Sequence, residues 1–309
     1  MKAFANTLIY ALLYAVVRLH ALLPMAALYV LSDVFYVLIY RLVGYRRRVV
    51  RSNLEGAFPH LSPDERLRLE RRFYHHFSDY IVETIKLAGI SHEELLRRAH
   101  LRNPEMVRPL LEAGHKSLIL VMGHYGNWEW FTGFPSRFGG LLEVCQIYRP
   151  LDSPAFDRLF RHLRTRFGAR CVPKKDVVRE LIRTARPTSP PALFVFIADQ
   201  TPSRANLHYW TQFLGRDTAV LNGPERLAVK MNLPVIYADV RCESRGHYTV
   251  DFQLLTDTPR SKPENWITEE YTRRMEHTIL RDPAFWLWTH RRWKYSRQPS
   301  ATPITPDEQ

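Results

Sequence analysis

Cysteine is scarce: the 309 residues include only Cys145, Cys171 and Cys242. The count is odd and no two are close in sequence. That argues against a disulfide framework and against the paired-cysteine spacing of a structural zinc site. The three are expected to be small core residues of a protein in a reducing compartment. The helical His-Glu-x-x-His pattern is missing too, so the sequence carries no recognised metal motif. There are no internal repeats and no low-complexity block. Acidic residues are outnumbered, 31 Asp and Glu against 44 Lys and Arg, leaving a formal charge of +13. This balance suits nucleic acid, an anionic membrane surface or a phosphorylated substrate. The basic residues are spread along the chain, and no RNA-recognition or zinc-finger signature accompanies them. With 46% hydrophobic residues, the length suffices for one large or two ordinary domains with a sizeable core.

Residues 3–43 are almost wholly apolar. The run 21–43 is long enough to cross a bilayer, for which about 20 residues suffice. Pro24, Asp33 and Arg41 interrupt it, and a carboxylate near its middle is costly in lipid. A spanning helix, a helix lying in the interface and a pair of buried core helices all fit these residues. A cleaved signal peptide fits less well, because no small-x-small site follows the first run and apolar sequence continues past it. Tyr45-Arg46-Arg47-Arg48 and Arg51 come next. Basic residues beside an apolar segment favour the cytoplasmic side and contact with anionic headgroups. The chain therefore divides into a hydrophobic anchor with a basic flank over 1–48, a main domain over 49–297, and a polar, Pro-containing tail over 298–309.

Ser62-Pro63-Asp64-Glu65 is a capping box with Pro at the first helical position. It predicts a helix to about Lys86 with a stripe through Phe73, Phe77 and Tyr80. Ser91-His92-Glu93-Glu94 predicts a short second helix. From Lys116 onward strand-like runs (118–122, 144–148, 193–198, 234–240, 248–255) alternate with helical ones (153–167, 176–185, 224–231). The class is α/β: a mixed central sheet flanked by helices, with an N-terminal hydrophobic membrane-associating helix.

Three strand ends carry chemistry. The apolar run 118–122 stops at Gly123 and is followed by His124-Tyr125-Gly126-Asn127-Trp128-Glu129. This puts an imidazole at the carboxyl edge of a sheet, where open α/β sheets hold ligands. If a helix begins near Gly126 or Asn127, Glu129 lies in its first turn, within reach of one ring nitrogen. The other nitrogen would be free to take a proton from an alcohol. The flanking glycines leave room for a substrate to approach. Donors near Gly126 and Asn127 are expected to face a developing oxyanion. Tyr148-Arg149-Pro150 ends the second strand, so Arg149 can clamp a phosphate with its two-pronged guanidinium. Ala198-Asp199-Gln200 ends the third; Asp199 either orients a basic group or caps a helix, and capping is the commoner role. Asn222-Gly223-Pro224 opens a helix whose N–H groups can meet an anion. The stretch from Phe285 to Lys294 interleaves aromatics with bases, as at a membrane interface, a phosphosugar site or a single-stranded nucleic-acid site.

These residues carry a family resemblance. Gly-His-Tyr-Gly-Asn-Trp-Glu at 123–129 looks like the His-x4-Asp/Glu motif of glycerolipid acyltransferases. More narrowly, the chain resembles the lipid A biosynthesis lauroyl/myristoyl (late) acyltransferases. The match runs through Arg51-Ser52-Asn53-Leu54, Phe58-Pro59, Tyr148-Arg149-Pro150, Lys175-Asp176, Ala198-Asp199-Gln200 and Trp288-Thr289-His290-Arg291-Arg292-Trp293-Lys294. It departs at Gln200, where some members have His. The resemblance implies a catalytic dyad of His124 and Glu129. It also implies a substrate-binding set of Asn127, Tyr148, Arg149, Arg170, Lys175, Asp199 and Gln200. It implies an acyl group passed from acyl carrier protein, or from acyl-CoA, to a hydroxyl of a lipid A precursor or related glycolipid, with no metal or other cofactor. Acceptors such as another glycolipid or a lysophospholipid are the alternative. The expected place is the cytoplasmic (inner) membrane, with the catalytic domain facing the cytoplasm and no nucleic-acid partner.

Overall fold

The structure, a computed structural model, describes residues 2–297; the tail expected over 298–309 lies outside the described residues. The strands in chain order are β1 (Ala99–Leu101), β2 (Ser117–Met122), β3 (Glu143–Tyr148), β4 (Arg170–Pro173), β5 (Ala192–Ile197), β6 (Tyr209–Phe213), β7 (Arg216–Val220), β8 (Val235–Ser244) and β9 (His247–Thr256). Seven form one sheet in the order β1-β9-β8-β2-β5-β3-β4, and β6 and β7 make a separate hairpin. Neighbours in the large sheet are parallel except β8 and β9. The sheet is therefore mixed, as the alternating pattern predicts. All six residues of β2 are buried, which is why its sequence is a continuous apolar run: parallel strands are covered on both faces.

The helices are α1 (Lys2–Ala21), α2 (Met25–Tyr36), α3 (Arg47–Ala57), α4 (Pro63–Lys86), α5 (His92–Arg98), α6 (Val107–Glu112), α7 (Pro154–Thr165), α8 (Val177–Thr184), α9 (Gly223–Met231) and α10 (Trp266–Arg281). The predicted capping box is present. Ser62 Oγ accepts from the Glu65 backbone N–H, and Glu65 Oε2 accepts from the Ser62 N–H at 2.7 Å. Ser91 Oγ caps α5 by accepting from the Glu94 backbone N–H at 3.1 Å. α2 continues through a wider-wound turn over Val37–Leu42, and it packs along α4. Of the expected stripe of α4, Phe73 is buried and Phe77 and Tyr80 are half-buried against the core; the fully buried positions beside it are Tyr74 and Val82. Its polar residues Asp79, Glu83 and Lys86 are buried as well, a feature without a signal in the hydrophobic pattern.

Register sets the location of the site. β2 and β5 are paired so that Met122 lies opposite Ile197. The residues two places beyond each strand end, His124 and Asp199, therefore leave the sheet side by side. From β2 the chain crosses to β3 and β4, returns to β5 between β2 and β3, and then passes to β8 on the far side of β2. This reversal of direction is where such sheets open a crevice at their carboxyl edge.

Candidate active site

His124 has the partner that this register dictates. Its Nδ1 donates to Asp199 Oδ1 at 2.6 Å, and its backbone N–H donates to Asp199 Oδ2 at 2.9 Å. Trp286 Nε1 donates to the same Oδ2 at 2.7 Å. Asp199 is buried. Burial pushes its carboxyl up, but the facing imidazole and these donors outweigh it and hold the pKa down at about 2. With Nδ1 committed to a carboxylate, Nε2 presents its lone pair outward. There Gln200 Nε2 lies 3.3 Å away, in the place a substrate hydroxyl would take. Trp128 meets the imidazole edge-on at 4.9 Å between centroids and fixes its other face.

The turn carrying His124 is held from two sides. Its own strand supplies one. The segment after α10 supplies the other: Gly126 N–H donates to Phe285 O at 3.0 Å and Leu287 N–H to His124 O at 3.1 Å, a short antiparallel bridge. The aromatic-basic stretch at 285–294 is thus mostly interior. Trp286, Trp288 and Arg292 are buried, so most of the stretch faces the interior and not a membrane, while His290 and Lys294 reach the cavity described below. The two glycines also serve packing rather than substrate approach. A Cβ on Gly123 would meet Met275 Sδ at 2.7 Å. Gly126 has φ +61° and its Cβ would meet the Tyr248 ring at 2.9 Å.

Glu129 does lie in a first turn, that of the 3-10 helix Trp128–Phe138 capped by Asn127. The hydrogen bond expected from it to His124 is not what forms. Its two oxygens are taken by Arg164 of α7, Nε to Oε2 at 2.7 Å and Nη2 to Oε1 at 2.5 Å. This bidentate geometry is the strongest a guanidinium and a carboxylate make. Turned toward α7 by that pair, Glu129 leaves the ring to Asp199. The side chain of Glu129 is 3% exposed and that of Arg164 21%. Removing one partner of a buried pair costs about 3–5 kcal/mol, whereas replacing both with neutral groups costs far less. Arg164→Ala is therefore expected to lower Tm, and Glu129→Gln with Arg164→Met to recover most of the loss. Thermal unfolding checks this; an unchanged Tm for Arg164→Ala would show that the pair contributes nothing.

The other expected residues divide cleanly. Tyr148, Arg149, Lys175 and Gln200 line one cavity of about 1090 Å³ together with His124, Glu129 and Arg164. Asn127 does not. It is fully buried, its Nδ2 donating to Glu83 Oε2 at 2.9 Å and its Oδ1 accepting from the Glu129 N–H. With the Gly126 N–H donating to Phe285 O, both this N–H and the Asn127 side-chain amide are committed within the protein. Arg170 is likewise elsewhere. It starts β4, at the amino edge of the sheet, and pairs with Glu143 and Glu180 at 2.9 Å each. Asp199 orients the imidazole and caps no helix. Gly223 and Pro224 at the start of α9 reach the cavity wall.

The cavity has two kinds of wall. Arg149, Lys174, Lys175, Arg204 and Lys294 give its carboxyl-edge end a basic lining. Away from that edge it follows one face of the sheet beneath the 3-10 helix, between Leu120, Val144, Leu193 and Val250 and the rings of Phe131 and Phe134. Alternation along the strands places these aliphatic residues on a single face. Ligand pockets commonly span about 300–1,000 Å³, so this volume accommodates a long chain and a headgroup together. Among the described residues no group of three or more His, Cys, Asp or Glu side chains is arranged to hold a metal ion.

A curated lipid A biosynthesis acyltransferase of Haemophilus influenzae is 26% identical over 269 residues, covering 86% of this chain and 83% of its own. The family model for bacterial lipid A biosynthesis acyltransferases matches residues 2–295, which include every element from α1 to the 285–294 stretch. On that near-complete match, the chain belongs to the bacterial lipid A biosynthesis acyltransferase family.

Proposed function

We propose that the protein is a membrane-associated O-acyltransferase that moves a fatty acyl group from an acyl carrier protein thioester to a hydroxyl of a lipid A precursor. The observation that carries this reading is the position of the His124–Asp199 pair, between a basic lining and an apolar sleeve in one cavity. The sleeve suits an acyl chain, and Arg149 and Lys175 suit the phosphates of the glycolipid. In the reaction, the acceptor hydroxyl oxygen attacks the thioester carbonyl while its proton passes to His124 Nε2. Asp199 holds the Nδ1–H and stabilises the imidazolium that forms. The tetrahedral intermediate collapses with cleavage of the carbon–sulfur bond. The imidazolium returns its proton to the leaving thiolate, giving an ester and a free carrier thiol. A thioester is already activated, so the balance needs no metal or redox group. Glu129 acts as a positioning residue, fixing the cavity wall through Arg164. The apolar N-terminus with its basic flank supports residence at the inner face of the cytoplasmic membrane.

The test uses the purified full chain with a phosphorylated, 3-hydroxyacyl-bearing lipid A precursor, and acyl-acyl carrier protein and acyl-CoA in separate reactions. Transfer from the carrier protein is expected, read by mass spectrometry as a gain of one acyl chain. A charge-assisted contact contributes about 1.5–3 kcal/mol. Arg149→Ala is therefore expected to reduce kcat/KM for the glycolipid roughly 10- to 100-fold, mainly through KM. Arg149→Lys, which keeps charge but loses the fork, falls between. Transfer from neither donor would overturn the function. Wild-type kinetics in both Arg149 variants would remove Arg149 from the site.

A further inference from the structure

Helices α1 and α2 expose apolar stripes and keep polar contacts on the side that faces the protein, beside buried residues such as Met25 and Leu28. On α1 the outward stripe is Leu8, Ile9, Leu12, Val16 and Leu19, at helical spacing, with Leu19 67% exposed. The inward side holds the polar contacts. Arg158 of α7 lies over the Tyr10 ring at 4.1 Å, Tyr14 meets His162 edge-on, and Arg18 donates to Ala88 O. α2 repeats this. Val30, Val34, Val37 and Leu38 point outward, while Tyr29 OH donates to Glu83 Oε1 at 3.0 Å and Ser32 Oγ to Asp79 Oδ1 at 2.6 Å. Even Asp33 is engaged, by Arg245 at 2.8 Å. Apolar stripes facing out and polar groups facing in are what a hydrocarbon surface selects. At the end of the α2 stripe the exposed Arg41, Arg46 and Arg48 suit anionic headgroups, at about 1 kcal/mol each.

The segment Met25–Leu42 is long and apolar enough to cross a membrane, but its docking forbids that. α2 lies along α4, from Lys86, which donates to Ala21 O and Leu23 O, through Asp79 to Tyr74, which stacks on Tyr40. Moving α2 across the bilayer with α4 attached would carry the exposed Arg71 and Arg72 of α4 into hydrocarbon, at about 2.5–3.5 kcal/mol for each charge. The alternative is to break every one of these contacts.

We infer that α1 and α2 lie in the plane of the membrane surface, their outward stripes sunk into one anionic leaflet and no segment crossing it. This rests on the membrane-associated reading above. The test places an N-terminal epitope tag, and in a second protein Leu23→Cys at the α1–α2 turn, on the otherwise complete chain. Right-side-out and inverted membrane vesicles are then treated with protease or with an impermeant maleimide, native cysteines being replaced in the labelling protein. Both points are expected to react only in inverted vesicles. Reaction of the tag from outside would mean a single span; reaction of Leu23→Cys from outside would mean a helical hairpin through the bilayer. Protection from both sides would mean burial in hydrocarbon. Each would overturn the inference while leaving the protein with the membranes. Recovery of the chain without membranes would instead defeat the membrane reading itself. Vesicles of phosphatidylglycerol and phosphatidylcholine supply the second arm. The full chain is expected to sediment with them and Leu12→Asp/Val34→Asp to lose at least ten-fold in binding. A stable dimer that ignores vesicles would assign the stripes to a second copy and overturn the inference.

Discussion

His124→Ala is expected to lose on the order of 10²–10⁴ in turnover, the usual contribution of a positioned acid–base group. An alcohol is a poor nucleophile, and its proton must leave as the carbonyl is attacked. Imidazole is the side chain whose ordinary pKa falls nearest working pH, and here one nitrogen is committed to a carboxylate while the other faces the cavity. The ring is also the partner of the buried Asp199 carboxylate, so Tm is expected to fall, while glycolipid affinity is expected to stay close to wild type. Steady-state transfer from labelled acyl carrier protein reads the loss, and equilibrium binding of the glycolipid reads what is retained.

Asp199→Asn is expected to cost nearly as much. An amide can still accept from Trp286 Nε1 through its oxygen, but its NH₂ then faces His124 Nδ1. The imidazole must accept there and carry its proton on Nε2, where the lone pair is needed. The loss is thus one of tautomer rather than of geometry, and on the order of 10²–10⁴ is expected. The carboxylate also stabilises the fold. Its folded pKa of about 2 lies below the ordinary 3.8, so its contribution is full above that ordinary value and is lost as pH falls through about 2. The stability difference between wild type and Asp199→Asn should therefore shrink on strong acidification, as pH falls from the ordinary carboxylate value through about 2. Chemical unfolding across pH checks that sign.

Much of this arrangement was legible in the sequence, because it depends on strand ends. A buried run stopping at Gly123, and others stopping before Arg149 and Asp199, put three candidate site residues on one edge without any knowledge of strand order. Strand order was the missing part. The nearest carboxylate to His124 in sequence is Glu129, while the nearest in space comes 75 positions on, through the pairing of β2 with β5. Arg164 was invisible for a related reason: it lies on a charged amphipathic helix, where an arginine normally faces water. The hairpin of β6 and β7 gave no turn signal, since its turn places Leu214 at φ +51° before Gly215 at +71°, positions where Asn-Gly is usual. Composition alone left the 285–294 stretch open between several roles, because interleaved bases suggest a surface; in the structure His290 and Lys294 line the cavity while Arg292 is buried with Nη1 donating to Ala219 O at 2.8 Å. The buried polar side of α4 was hidden because its partners, Tyr29, Asn127 and Tyr248, come from three distant segments.

The central claim is that His124 and Asp199 act as one unit and that Glu129 does not belong to it. A double-mutant cycle on acyl transfer, with His124→Ala, Asp199→Asn and both together, tests this most directly. The account predicts that the double variant is scarcely slower than His124→Ala alone, because Asp199 has no catalytic role once the ring is gone. Losses that simply multiply, or a His124→Ala variant with near-wild-type turnover, would contradict it.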